Sequence, residues 1–143
     1  MSAKKYSLAE RLAVCSWSLQ PANPQDLINK LGATGIRRVQ LALDPLRESP
    51  KIWGETENLF RANGITIVSG MVGSVGEDYS TLESIRLTGG IAPDAMWEQN
   101  LKNLRAGAAL AKKNGAKAGH FSRRISAPGR IRADVYQNAA TAG

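Results

Sequence analysis

One cysteine and one histidine in 143 residues remove several chemistries at once. Cys15 alone excludes an intrachain disulfide framework and a cysteine-based zinc cluster. No run reaches the ~18 consecutive apolar residues of a membrane helix, so a membrane is not an expected partner. Lys4 and Lys5 stand at the front, but Glu10 and Arg11 interrupt any apolar h-region, so no secretory signal is read and the cytoplasm is the expected compartment. The length suits one domain and falls short of the roughly 250 residues of a complete (β/α)8 barrel. At 43% hydrophobic residues the chain can nevertheless bury a core.

The charge is unevenly spread. Of the net +7, residues 114–143 carry +4, from Lys117, Arg123, Arg124, Arg130 and Arg132 against Asp134 alone, and the first 113 residues share +3. A basic tail of this kind suits a disordered arm that binds nucleic acid.

Upstream, short apolar runs alternate with helical patterns, which predicts an α/β fold with a parallel sheet. Residues 12–18 (LAVCSWS) read as a buried strand. Asn23 caps a helix with Pro24 at its first position, running through Leu27, Ile28 and Leu31 to Gly32. Residues 36–43 form a second strand, with Val39, Leu41 and Leu43 on one face and Gln40 and Ala42 on the other. Ser49-Pro50 opens a helix containing Trp53, Leu59 and Phe60 and closed by Asn63-Gly64. Residues 65–68 (ITIV) are a third, β-branched strand. A long Gly-rich connection follows, from about Gly70 to Pro93. The last helix begins near Asp94 and places Trp97, Leu101, Leu104, Ala108 and Ala111 on one face, with Asn114-Gly115 as its stop. Residues 116–143 have no clear apolar period, so no fourth strand is expected there.

Cys15-Ser-Trp-Ser18, Val39-Gln-Leu-Ala-Leu43, Ile67-Val-Ser-Gly-Met71 and Gly76-Glu-Asp-Tyr-Ser-Thr-Leu-Glu-Ser-Ile85, followed by Thr88-Gly-Gly90, resemble the xylose isomerase-like TIM-barrel family. That family groups sugar isomerases and epimerases with endonuclease IV-type enzymes. The resemblance covers about residues 10–113 and rests on the order and spacing of the motifs. It implies the N-terminal part of a (β/α)8 TIM barrel: about three βα units, an incomplete barrel. It also implies sugars or sugar phosphates as ligands and a divalent metal held by carboxylates and histidine, mostly on strands five to eight. Those ligands are absent here, so no metal or other cofactor is expected in this chain.

In such proteins the helix ending Ala-Lys-Lys is expected to lead into a strand resembling MGLKLVTFHAGFLP. Reading the codons of residues 114–128 one base later permits that whole run, fourteen positions in succession. The division predicted is therefore a barrel portion over residues 1–113 and an aberrant tail over 114–143. One extra nucleotide near the codons of Lys113 and Asn114 would make the tail out-of-frame translation. His120, the sole histidine, lies in that tail and inherits no role from the family's fourth-strand histidine.

Reacting groups of (β/α)8 enzymes sit at the C-terminal ends of strands and in the loops that follow. Here those ends hold Ser16, Trp17 and Ser18; Gln40 and Asp44; and Ser69, Gly70 and Met71. Trp17 offers a stacking face to a sugar, or is an aromatic of the barrel core. Gln40 hydrogen-bonds ligand hydroxyls in the barrel mouth, or belongs to a structural polar layer. Glu77, Asp78 and Tyr79 contact substrate, or cap a short loop helix. Gly73 and Gly76 do not read as a phosphate cradle, because no Walker lysine follows. The substrate-facing candidates are thus Trp17, Gln40, Glu77 and Tyr79, with no catalytic residue and no metal ligand.

The expectation is a truncated sugar isomerase/epimerase-like protein, inactive as it stands, whose intact parent binds a sugar. Its open barrel edges predict self-association, insolubility or partial order. The alternatives are a non-enzymatic half-barrel that pairs with itself, and a nucleic-acid binder acting through the basic tail; nucleic acid is the disfavoured partner.

Overall fold

A computed structural model describes residues 8–89, 94–116 and 119–121. The basic stretch beyond Phe121, the N-terminal lysines and Gly90 lie outside the described residues. The chain is mixed α/β, built on a four-stranded, wholly parallel sheet in the order β1-β2-β3-β4. A one-turn helix, α1 (Leu8–Arg11), precedes the strands, which are β1 (Val14–Cys15), β2 (Arg38–Ala42), β3 (Thr66–Val72) and β4 (Gly119–Phe121).

Two compact units are distinguished: one combines residues up to Gly73 with Asn103–Phe121, and the described part of the other runs from Ser74 to Lys102. The first holds the sheet. A one-residue helix-start signal works there as expected: Asn23 accepts a hydrogen bond from the Asp26 N–H at 2.9 Å, and Pro24 occupies the first turn of α3 (Pro24–Thr34). Asp26 reaches back to the Ala22 N–H at 2.9 Å, so two otherwise orphaned donors are satisfied reciprocally. The helix closes on Gly35 in the left-handed region at φ 71°, one turn beyond the predicted Gly32.

The core follows strand alternation. Val39, Leu41, Leu43, Ile67 and Val72 are buried, together with Leu27 and Leu31 of α3 and Phe60 of α6 (Thr56–Ala62). Helix α8 (Trp97–Lys113) closes on this face so tightly that a β-carbon at Gly107 would collide with Val72 Cγ2. On β2 the intervening Arg38 and Gln40 are only half-buried, as are Ser69 and Met71 of β3. A register shift between Val39 and Gln40 lets Gln40 pair with Ser69 while Val39 pairs with Ile67.

Several sequence expectations are corrected. The first strand is two residues long, because Ser16 turns at once into the one-turn helix α2 (Ser16–Leu19). The helix predicted from Ser49 is split into α5 (Pro50–Trp53) and α6, preceded by α4 (Asp44–Glu48). Its break falls at Gly54, where a β-carbon would lie 2.6 Å from the Pro50 carbonyl oxygen. The third strand continues through Gly70 to Val72, since tight packing under α8 favours a small residue there over a turn.

The stretch expected as a loop after Gly70 contains α7 (Leu82–Thr88), capped by Thr81, whose hydroxyl accepts from the Ser84 N–H. Helix α8, entered through a 3-10 turn at Asp94–Met96, buries Asn100, Asn103, Leu104, Gly107 and Ala111. Ala108 is exposed and Trp97 and Leu101 are half-buried, so the buried stripe is rotated from the predicted one. Gly107 and Ala111 belong to it because the sheet comes close there, at Val72 and Gly70.

A fourth strand is also present. Gly119, His120 and Phe121 pair with Gly70, Met71 and Val72, although the sequence has no apolar period there. Three residues beside an already formed strand need only backbone hydrogen bonds to join it.

Candidate functional site

Both elements that shape the site start where a strand ends. After Cys15 the chain makes the single turn of α2. Gln20 stops it in the left-handed conformation, φ 45° and ψ 57°, with its N–H donating to the Trp17 carbonyl at 3.2 Å. Pro21 prevents continuation. The Ser16 hydroxyl accepts from the Ala42 N–H at 2.8 Å, which fastens α2 to the C-terminal end of β2.

Beyond β2, Leu43 donates to the Met71 carbonyl at 2.8 Å and Asp44-Pro45 opens α4. Asp44 is a clamp. One carboxylate oxygen accepts from the Gly73 N–H at 2.7 Å, the other from the Arg47 guanidinium at 2.9 Å. Arg47 is further held by Glu48 at 2.8 Å and Asn103 at 3.0 Å. The Trp17 ring lies against Gly73, where a β-carbon would meet Cη2 and Cζ2 at 3.4 Å. The Thr56 hydroxyl donates to the Trp53 carbonyl at 2.6 Å and ties α5 to α6, fixing Trp53.

These elements enclose a cleft of about 160 Å³ beyond the C-terminal ends of β1 and β2. Ser16, Ala42 and Trp53 are its buried members, Pro21 and Pro45 are half-buried, and Trp17 and Gln20 are exposed. Trp17 keeps 46% of its surface in solvent while Trp53 keeps 5%. The larger depression, about 230 Å³ and lined by Phe60, Ile65 and Asn114 among others, lies where β3 begins, away from this end.

The four sequence candidates are not one cluster. Trp17 lines the cleft. Gln40 lies on β2 in register with Cys15 and Ser69, half-buried and outside the cleft lining. Glu77 and Tyr79 belong to the second unit, where the Tyr79 hydroxyl donates to Glu77 Oε1 at 3.0 Å. Asp78 accepts from the Ser80 N–H at 2.8 Å, and that bond is the chief reason its carboxyl is held below its ordinary pKa. It therefore closes a local turn, while Thr81 makes the helix cap. Gly76 has φ 89° and packs against Met96, a structural use of glycine.

Trp53, Gln20, Pro21 and Pro45 escaped the sequence reading. The available signal was the prolines: each follows a strand end within six residues and redirects the chain around the same space.

Among the described residues no group of three His, Cys, Asp or Glu side chains could hold a metal ion. Asp44, the carboxylate at these strand ends, is engaged by Gly73 and Arg47, so the residues present do not fit the divalent-metal set that the family resemblance implies. No described helix is long and apolar enough to cross a membrane. The fold class is α/β with a parallel sheet. No family model, curated protein or solved structure matches the chain.

Proposed function

We propose that the chain carries the opening βα units of a sugar isomerase/epimerase-like (β/α)8 protein and contributes a sugar-binding wall to it. The observation that carries this reading is the unreversed strand order β1-β2-β3-β4. Right-handed crossovers between successive parallel neighbours put all connecting helices on one face. A doubly wound sheet reverses its order and binds at the reversal; a barrel does not, and binds at its C-terminal strand ends. The cleft stands at those ends.

The chain's own chemistry in this reading is binding and orientation. Trp17 presents an indole face, Ser16 a hydroxyl and Gln20 an amide, and none of the residues that line the cleft carries a titratable acid or base. Sugar isomerisation therefore requires groups supplied from elsewhere. The expected result is saturable monosaccharide binding, read by tryptophan emission, without turnover in a coupled isomerase assay. Turnover abolished by Trp17→Ala would overturn the division of labour.

The aberrant-tail reading remains part of the proposal and rests on composition and the shifted-frame match, since the in-frame residues Gly119–Phe121 do join the sheet. Sequencing the locus through the codons of Lys113 and Asn114 tests it. An intact frame, with no sheet-forming continuation in the neighbouring one, removes it.

A further inference from the structure

We infer that Arg38, the first residue of β2, anchors a binding site for a small monocarboxylate on the half-buried face of the sheet, at the strand end opposite the cleft. The inference goes beyond the sugar reading and does not rest on it.

The observation behind it is a cation without a counterpart. The Arg38 Nε is buried and has no hydrogen-bond partner among the described residues. Burying a donor unpaired is costly, and more so when the group is charged. The chain treats its other arginines differently. Arg61 and Arg86 keep 69% and 63% of their side chains in solvent, where an ion pair contributes little, yet Glu57 holds one at 2.8 Å and Glu83 the other at 2.6 Å. Arg47 is held by Asp44 and Glu48. Arg37, next in the chain, donates to the Asn63 carbonyl at 2.8 Å. None of the ion pairs among the described residues includes Arg38, and β1, β2 and β3 contain no Asp or Glu to supply one.

The donor defines its acceptor. The Nε–H of a guanidinium and the adjacent Nη–H point the same way and match the two oxygens of a carboxylate. One guanidinium also balances one negative charge. A phosphate dianion would keep surplus charge in a half-buried place, since Arg37 is already engaged. The surroundings are polar: Gln40 lies two residues along the same face, in register with Ser69, and both are half-buried. Such a face suits a small polar acid better than an apolar polypeptide. Arg38 as a whole is only half-buried, so the anion reaches the side chain from solvent and the fork turns to meet it.

The test titrates the full chain with sodium acetate and sodium phosphate, with sodium chloride as the reference, at one ionic strength. Arginine Nε–H resonances and the thermal midpoint are followed, with far-UV circular dichroism as the fold control. Acetate is expected to move the Arg38 resonance to saturation and to raise the midpoint, with phosphate about five-fold weaker or more. Arg38→Lys keeps the charge, loses the fork, and is expected to abolish both responses. Arg38→Met removes the unpaired donor and is expected to raise the urea midpoint by about 0.5 M in acetate-free buffer.

No saturable shift from a chain with an intact spectrum overturns the site. A lower urea midpoint for Arg38→Met overturns it too, because the guanidinium is then already satisfied within the fold. Phosphate binding as tightly as acetate overturns the choice of a carboxylate, and an unchanged acetate response in Arg38→Lys overturns recognition by the fork. Should Arg38→Met fail to fold, the resonance titration of the unaltered chain decides alone.

Discussion

The two faces of the sheet differ although they share every backbone hydrogen bond. On one, Val39, Leu41, Ile67 and Val72 are buried, and α8 packs closely enough to favour glycine at 107. On the other, Arg38, Gln40, Ser69 and Met71 stay half-buried, and Ala42 alone of β2 is buried, where its N–H donates to the Ser16 hydroxyl. Parallel sheets are ordinarily covered on both faces. The difference teaches that the side chains presented by strand alternation, not the shared backbone pairing, decide which face carries most of the core.

Neighbouring residues on β2 give the sharpest way to break this comparison. Leu41→Ala is expected to cost about 2–5 kcal/mol in chemical denaturation. Gln40→Ala, one residue away, is expected to change stability by no more than about 0.5 kcal/mol. Similar losses at both positions would mean that the second face is a core after all. Gly107→Ala tests the packed side from the helix; the collision with Val72 is expected to cost about 1–3 kcal/mol.

Smaller effects belong to α3. Asn23→Ala removes the acceptor of the Asp26 N–H and is expected to cost about 0.5–2 kcal/mol. Asp26 itself gives a pH signature. The Lys30 ammonium, then the Ala22 N–H, holds its carboxyl below the ordinary Asp range. Its contribution is therefore fully present above the unfolded-state value of about 3.9 and is lost as pH falls through the lower folded value. Carboxyl NMR of Asp26 should show a midpoint below that of an unstructured Asp. A midpoint at or above it would mean that the Asp26–Lys30–Ala22 arrangement does not persist in solution.

Much of the first face was legible beforehand. Val39, Leu41 and Leu43 alternate, and Asn23-Pro24 announces a helix without tertiary help. The corrections have a common cause. Residues 12–18 look like a strand because they are apolar, but only backbone pairing with β2 decides that two of them are one. Gly70 looks like a break and is instead where the sheet meets Ala111. The stripe on α8 was misjudged because close approach rewards Gly107 and Ala111 over Trp97 and Leu101. Of the site, Trp17 could be found next to a strand end, whereas Trp53 reaches the same cleft from 36 positions later through a helix break.

Local sequence thus determined α3 with its Asn23 cap, the strands β2 and β3, and the face of β2 that carries Val39, Leu41 and Leu43, because periodicity and side-chain-to-backbone bonds act over a few residues. Only the tertiary structure decided the unreversed strand order, the joining of Gly119–Phe121 to the sheet and the meeting of Ser16, Trp17 and Trp53. Those depend on backbone pairing and packing between segments tens of residues apart, which no local pattern encodes.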